Sequence, residues 1–453
     1  MKISNQLPHF NRQVHKLATL VVGVFAAWGV LAESADFEDT SSKYQITMNW
    51  QRHAAFSDSG GTSVNSLLSK NESMYTFSTT AHWGARVWQD GELYFNPEIV
   101  SGVPFSGNLV GLGGFTNGEI TRAGGMDLKL YRQRLFLRQT WNQGGGDEKI
   151  ESDFNQMAGT VDKNRVVLTV GNFSTLDVFD DNAYAKDPRT QFMNWGNWTY
   201  SSYDYAADAR GYGWGFAAEW YINDWVFRFG RMTGPKQPND LPIDYQIGKH
   251  YGDQFEIERP HSLSGHPGKA RLLFWHDRAN VASFTDALAY LKTFNPADKE
   301  TILQLRNGDK NKYGIGLNLE QELSNDVGAF LRVMKTDGRT ETYAFTEVDN
   351  SFSGGFLIKG DAWSRADDSL GVSFMQNQLS TERRKYLEAG GISYFIGDGS
   401  LSYKPENIFE GFYSFGIHKN TWLTVDYQHI ENPAYNAARG PVNVYAFRLH
   451  SEF

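Results

Sequence analysis

A segment of about twenty residues that follows Asn172 combines side chains suited to binding polyhydroxylated solutes. Carboxylates, amides, one guanidinium and four aromatic rings are interleaved between residues 177 and 195. Planar carboxylate, amide and guanidinium groups form paired hydrogen bonds, and aromatic faces pack on the C–H surfaces of sugars. An external loop that carries interfacial aromatics is the alternative interpretation. The candidate solute-binding residues here are Asp177, Phe179, Asp180, Tyr184, Arg189, Phe192 and Trp195.

Arginines recur at short intervals in an upstream segment, residues 131–138 (YRQRLFLR). If this segment is a β-strand, the alternation of side chains predicts that three guanidiniums share one face. Such a row needs compensation, which we expect from Glu92 and Glu98 on the preceding hairpin. The row either donates paired hydrogen bonds to hydroxylated or anionic solutes or consists of ordinary solvated lumen charges. Its members are Arg132, Arg134 and Arg138.

Other chemistries find little support in the sequence. The chain has no cysteine, which excludes disulfides, thiolate metal sites and a cysteine nucleophile. No histidine stands in a metal-ligand spacing or beside a nucleophile motif, and residues 111–114 (GLGG) lack the lysine of a phosphate loop. The formal net charge of −9 disfavours nucleic acid as a partner. The sequence therefore predicts a protein that is not an enzyme and binds no cofactor, metal or nucleic acid.

The elements that must position these residues have the two-residue period of β-strands. One face of each segment is apolar and the other is polar or charged, as in a membrane barrel whose strands contact lipid outside and water inside. With 40% hydrophobic residues, 15% aromatic residues and 45 glycines, the composition fits a barrel better than a helical membrane protein. The clearest segments are residues 74–88, 92–99, 313–320, 409–417, 423–428 and 444–453.

The connections between the strands alternate between short and long, which is the pattern of an outer-membrane barrel. We predict an all-β fold, a transmembrane antiparallel β-barrel of 16 strands, with 18 as the alternative, whose lumen is constricted by a long loop. Residues 279–311 look partly helical and fall where a short turn is expected, so either they form an insertion or the strand parity is wrong there. The short connections are 223–224, 324–326 and 418–420, and the long ones are 102–128, 174–210, 233–268, 379–405 and 431–441.

Both ends of the chain suggest export to the outer membrane. Residues 1–32 combine a basic start with an apolar run shorter than the roughly 20 residues that a spanning helix needs. They predict a signal peptide cleaved after Ala32, with residues 33–453 forming the barrel domain; a retained helical anchor is the alternative. The terminal Phe453, preceded by aromatics at alternate positions, resembles the signal that the outer-membrane assembly machinery reads.

Several short segments stand in order along the chain: residues 95–98, 114–119, 134–140, 177–180, 204–208, 210–212, 397–399, 426–428, 432–436 and 439–442. Together they resemble the carbohydrate-selective porin family (OprB type). The resemblance implies a 16-stranded bacterial outer-membrane barrel that passes glucose and other sugars through a charged and aromatic constriction. The predicted function is a water-filled porin for carbohydrates and small hydrophilic solutes, in contact with outer-membrane lipid, as a monomer or homotrimer. A general or anion-preferring porin and a secreted polysaccharide-binding β-protein are the alternatives.

Overall fold

A computed structural model describes residues 36–60, 63, 65–107, 109–120, 125–293 and 302–453. Over these ranges, sixteen strands pair in antiparallel order and close into a barrel, which confirms the predicted fold and strand number. The predicted signal peptide, residues 1–32, lies outside the described residues. In chain order the strands are β1 (Thr40–His53), β2 (Glu72–Trp88), β3 (Gly91–Val103), β4 (Gly125–Asn142), β5 (Asp147–Ile150), β6 (Gly159–Asp162), β7 (Arg165–Phe173), β8 (Gly213–Ile222), β9 (Trp225–Met232), β10 (Tyr251–Leu263), β11 (His266–Asn280), β12 (Asp309–Ser324), β13 (Val327–Thr336), β14 (Asn350–Lys359), β15 (Ser369–Gln378), β16 (Glu406–His418), β17 (Thr421–Glu431) and β18 (Val442–Glu452).

Two strands and all helices lie outside the barrel wall. β5 and β6 form a separate two-stranded sheet, so that β4 pairs directly with β7. The helices are α1 (Trp195–Trp198), α2 (Phe284–Thr293) and α3 (Thr381–Glu388). In the part of the chain that is described, no helix has both the length and the apolar character needed to cross a membrane.

Strand alternation separates an apolar outer face from a polar inner face, because successive side chains point to opposite sides of a sheet. In β18, Tyr445 and Phe447 are exposed on the outside, whereas Arg448 is buried inside. β1 pairs with β18 from Gln45 opposite Glu452 to His53 opposite Val444, which closes the barrel. The inner face of the barrel therefore carries the charged side chains, which can pair with one another and with the loops inside the barrel.

The two ends of the barrel differ in their connections. At one end, which we call the turn end, two-residue turns such as 223–224 and 264–265 join neighbouring strands. At the other, the loop end, connections such as 174–212 are long. One connection at the turn end is also long, residues 143–164, and it contains β5 and β6.

The sequence prediction was wrong for one strand. Residues 233–268 were expected to be a single loop, but they contain β10, whose inner face carries Gln254, Glu256 and Glu258. This charge is compensated inside the barrel by arginines on β9 and β11, so the strand lacks the usual apolar signature. When β10 is counted, the connection between β11 and β12, to which α2 belongs, falls at the loop end. The irregularity was therefore an error of strand parity.

Two of the loop-end connections with buried residues are important for the cavity described below. The first, the inner loop, comprises residues 174–212 and includes α1. The second, the glycine loop, comprises residues 109–120, of which Leu109 to Glu119 have buried or half-buried side chains. Both loops bury backbone groups, which must therefore find hydrogen-bond partners on the wall or on each other.

Candidate functional site

The inner loop is anchored to the far wall by Arg332 on β13. This guanidinium pairs with Asp180 at 2.9 Å and donates to the carbonyls of Ala185 and Asn197, each at 2.7 Å. Asp180 also accepts hydrogen bonds from Thr199 and, at 2.5 Å, from Asn318 on β12. Because both partners are fully buried, this ion pair fixes the position of the loop in the lumen.

A second set of anchors lies on β16 and β18. Glu410 accepts from the backbone N–H groups of Met193 and Asn194, at 2.6 and 3.0 Å. Arg448 donates to the carbonyls of Pro188 and Gln191, both at 2.7 Å. The inner loop thus touches β13, β16 and β18 and crosses the interior of the barrel.

The glycine loop supports the inner loop from the side. Glu406 on β16 accepts from the N–H groups of Gly113 and Gly114, at 3.0 and 2.7 Å. Gly118 donates to the Met193 carbonyl, and the Trp195 N–H donates to the Phe115 carbonyl, both at 2.9 Å. A side chain at Gly113 would collide with Glu406 and the Tyr435 ring, which explains the need for glycine there.

A cavity of about 730 Å³ remains between the inner loop and the wall formed by β2, β3, β4, β7 and β8. It extends from the inner loop toward the turn end, where residues 150–161 line it. Its lining is mixed, with charged groups and ring faces. Among the lining side chains are Glu92, Glu119, Arg134, Arg138, Asp177, Asp187, Arg189, Trp195, Trp198, Arg210 and Tyr212.

Arg134 and Asp177 form a bidentate pair on this cavity. The guanidinium donates through Nε and Nη2 to the two carboxylate oxygens at 2.7 and 2.6 Å, and it lies 5.1 Å from the Tyr212 ring centroid. Ser174 begins the short 3₁₀ turn Thr175–Asp177, and its N–H also donates to Asp177 at 2.9 Å. Burial alone would raise the pKa of Asp177, but the Arg134 charge and the Ser174 N–H have the opposite and larger effect. The pKa of Asp177 is therefore below its ordinary value.

Glu98 joins two arginines of the inner loop to the wall. Its carboxylate lies 3.3 Å from Arg189 and 2.5 Å from Arg210, and it accepts from Gln133 at 2.9 Å. Arg189 also pairs with Glu119 of the glycine loop, at 3.1 Å. Glu98 itself is fully buried, so the two guanidiniums cover it and face the cavity in its place.

An aromatic cluster also lines the cavity. Trp195 and Trp198 pack edge to face at 4.6 Å, and Trp195 also contacts Tyr205 and Phe345. Both tryptophans line the cavity, and neither indole N–H has a hydrogen-bond partner among the described residues. Both indole nitrogens are shielded from solvent, so the cluster offers the cavity ring surfaces and not hydrogen-bond donors.

Glu92 and Arg138 lie nearer the turn end. Glu92 is 3.0 Å from Arg86 and 3.8 Å from Arg138, and it accepts from the Tyr94 hydroxyl at 2.8 Å. Arg138 is held over the rings of Tyr94 and Phe136, at 5.3 and 5.4 Å. These predicted residues share the cavity with Arg134 but form a separate group.

The predicted row of three arginines is wrong at Arg132. A β-bulge pairs Asn96 with Arg134 and Pro97 with Arg132, leaving Gln133 as an extra residue. Because Gln133 and Arg134 both point inward, the alternation shifts and Arg132 faces outward. There it is exposed and lies 5.0 Å from the Trp214 ring.

Four predicted binding residues are anchors of the inner loop and do not line the cavity. Asp180 pairs with Arg332, as described above. Phe192 is fully buried between Phe330 and Phe412, at 5.5 and 5.1 Å. Tyr184 lies over Gly328, and Phe179 lies over Gly230, where a larger residue would collide with each ring. The mixture of aromatic and charged residues in the sequence identified the right loop. It could not distinguish the residues that dock the loop on the barrel wall from those that line the cavity.

Several cavity residues were not predicted. Glu119, Arg210 and Tyr212 were read only as parts of family-like segments, and Trp198 stands beyond the chosen window. Trp198, Arg210 and Tyr212 reach the cavity because the inner loop returns to the wall before β8 begins. The continuation of mixed aromatic and charged residues to position 212 was the available signal.

The comparison with protein families decides the identity of this barrel. Residues 41–453 match the model of the carbohydrate-selective porin, OprB family. The chain belongs to this carbohydrate-selective porin family. It is thus a sugar-selective channel of the bacterial outer membrane and not an enzyme, as the resemblance implied. No match was found among curated protein sequences.

Solved structures agree with the fold of this porin. The high-pH structure of OprB from Pseudomonas putida is 15% identical, with a TM-score of 0.65 over 92% of this chain and 94% of that chain. The channel DcaP of Acinetobacter baumannii is 9% identical, with a TM-score of 0.50 over 92% of this chain and 97% of that chain. At these identities the likeness supports the barrel architecture alone.

Proposed function

We propose that sugars cross this porin through the cavity between the inner loop and the wall, and that its narrowest part is a weak sugar-binding site. The supporting observation is that ring faces and paired charged groups of three separate elements converge on one cavity. Trp198 and Tyr212 offer ring faces to C–H surfaces, while Arg189 and Glu119 offer groups that pair with hydroxyls. The site residues are Glu119, Arg134, Asp177, Asp187, Arg189, Trp195, Trp198, Arg210 and Tyr212.

The binding must be weak for the channel to conduct. A solute that enters exchanges its hydration for these groups, and it must release them again to leave. We expect a dissociation constant in the millimolar range, which corresponds to about 4 kcal/mol. The mutual pairing of Arg189, Glu119 and Glu98 keeps these charges satisfied when no sugar is bound.

Sugar-dependent block of ion current in planar bilayers tests this proposal. We expect Arg189→Ala to weaken block about tenfold, because a hydrogen bond to a charged group is lost. Trp198→Phe, which keeps an aromatic ring but reduces its face, should weaken block less. Trp220→Phe on the exposed outer face is the matched control and should behave as the unsubstituted channel. Ion current that ignores sugars in all four proteins would contradict the proposal and favour a general porin.

Export and assembly are part of the same proposal. Residues 1–32 have the pattern of a signal peptide, and Phe453 ends the closing strand region with the alternation of an assembly signal. The backbone of Phe453 exchanges two hydrogen bonds with Tyr44, at 2.8 and 2.9 Å. Phe453 would thus serve both recognition by the assembly machinery and closure of the barrel.

A further inference from the structure

The connection between β4 and β7 is unusual for the turn end, because it is long and lines the cavity at the turn-end mouth. We call residues 143–164 the mouth hairpin; they contain β5 and β6. Its tip is the tight turn 153–156, closed by reciprocal backbone bonds between Asp153 and Gln156 at 2.9 and 3.2 Å. Asn155 adopts a left-handed conformation there, with φ of 56°, which asparagine tolerates better than most residues.

The tip is fixed to lumen-facing side chains of the wall. The Met157 N–H donates to the Tyr94 hydroxyl at 3.2 Å, and Arg138 donates to the Asn155 carbonyl at 2.9 Å. Arg86 donates to the Ala158 carbonyl at 3.1 Å. Three groups of the barrel interior thus hold the tip in the mouth.

The segment before β1 holds the hairpin from the other side. Glu38 accepts from the Ser152 hydroxyl at 2.7 Å and from the Ala158 N–H at 2.8 Å. The Glu38 N–H in turn donates to the Ala158 carbonyl at 3.1 Å. With contacts on both sides, the hairpin is a built part of the channel mouth.

Phe154 occupies the centre of this arrangement. Its ring lies 4.5 Å from the ring of His82, which is buried on the inner face of β2, and its side chain is half-buried and lines the cavity. Arg138 and Glu92 line the same cavity, and Arg138 donates to the carbonyl of Asn155, the residue next to Phe154. A ring face, a guanidinium and a carboxylate are therefore available here, as they are beside the inner loop.

The carboxylates of the two groups are separated along the channel. Glu98 and Glu92 both face inward on β3, six residues apart, which corresponds to about 20 Å at the usual rise of a strand. This distance exceeds the width of one sugar ring, so one bound ring cannot contact both carboxylates. The Phe154 ring lies between their levels, because its partner His82 stands on β2 between Thr80, which pairs with Glu98, and Arg86, which pairs with Glu92. We propose that Phe154, Arg138 and Glu92 form a second binding subsite for neutral sugar rings at the turn-end mouth. The subsite rests on the proposed function of the channel.

A second subsite has a kinetic consequence. A sugar that approaches from the turn end meets the mouth hairpin before the narrow part, whereas a sugar from the loop end meets the narrow part first. Several weak sites in series let a channel bind its solute and still release it. Removing the Phe154 ring should therefore reduce block mainly for sugar added on the turn-end side.

Single-channel recording with maltotriose added to either side tests the subsite. We expect Phe154→Ala and Phe154→Leu to lower the frequency of block from the turn end about threefold to tenfold, and to change block from the loop end by less than twofold. Lys149→Gln, on the exposed side of the same hairpin, is the control and should leave both frequencies unchanged. Orientation is read from a Lys419→Cys label, which is unique because the chain has no native cysteine.

The outcomes separate this subsite from the proposed function. A Leu variant that blocks as the unsubstituted channel does, while the Ala variant differs, would show that only bulk matters and would overturn the subsite. The same holds if Phe154→Ala changes nothing while Arg189→Ala weakens block from both sides. An unsubstituted channel without block from either side would overturn the proposed function and the subsite with it. A heat-modifiable band for each variant establishes that the barrel is folded.

Discussion

At the scale of single residues, position relative to one β-bulge decides which arginine acts in the channel. Arg132 and Arg134 are two residues apart and would share a face of a regular strand. The extra residue Gln133 separates them, so that Arg134 pairs with Asp177 while Arg132 lies outside against Trp214. A bulge depends on cross-strand pairing, and the spacing of the arginines carries no trace of it.

This difference gives a test with a built-in control. Arg134→Gln leaves the Asp177 carboxylate without its partner, so we expect the preference for cations over anions to rise severalfold. Arg132→Gln removes the same charge from the outer face and should leave selectivity unchanged. Reversal potentials in a salt gradient measure both. Equal shifts in the two variants would contradict the assignment of faces.

The pH dependence of the unsubstituted channel should reflect the same pair. The pKa of Asp177 in the folded channel is lower than that of a free aspartate. The ion pair between Asp177 and Arg134 is therefore intact at and above the pKa of a free aspartate, and it is lost only as the pH falls through the lowered pKa. Selectivity arising from this pair should therefore be constant between pH 7 and about pH 5.

At the scale of elements, alternation in the sequence predicted most of the wall but failed where inner-face charges are paired within the barrel. β10 was missed because Glu256 and Glu258, which would be costly on an isolated strand, are compensated by Arg228 and Arg271. The inner loop was recognised from its composition, yet its anchors were not, since Asp180 and Phe192 find their partners more than 130 residues away. Such contacts follow from barrel closure, which local patterns do not encode.

The anchoring of the inner loop is testable through Arg332. Arg332→Leu leaves the buried Asp180 carboxylate without a counter-charge and two loop carbonyls without their donor, at a cost of about 3–5 kcal/mol, so we expect the loop to leave the wall. Ion conductance should rise, sugar block should fall, and trypsin should cleave at Lys186 or Arg189 while the barrel stays folded.

Two further variants make the interpretation of Arg332 specific. Lys335→Leu, an exposed position on the same strand, is the control and should change neither conductance nor cleavage. Adding Asp180→Asn to Arg332→Leu removes the unpaired carboxylate and should restore part of the docking. If Arg332→Leu conducts as the unsubstituted channel does, the anchor is unimportant for the loop.

At the scale of the whole molecule, the outer and inner surfaces of the barrel have different compositions and different roles. The outer surface carries exposed aromatic and aliphatic residues suited to lipid, and the inner surface carries charges that hold loops and line the cavity. Closure through β1 and β18 leaves no free edge in the sheet, which a spanning sheet requires in lipid. The barrel must therefore close if its strands are to span the membrane.

Phe453 stands where that closure ends, and its substitution tests the assembly proposal. Phe453→Ser keeps the backbone bonds to Tyr44 available but removes the terminal aromatic ring, so we expect a lower yield of heat-modifiable barrel in the outer membrane. Phe453→Tyr retains a ring and should assemble as the unsubstituted chain does. Phe447→Ser removes an exposed outer-face ring from the same strand and controls for a general loss of apolar contact with lipid. If Phe453→Ser assembles as well as Phe453→Tyr, the ring is not an assembly signal; a loss equal to that of Phe447→Ser would assign it to lipid contact alone.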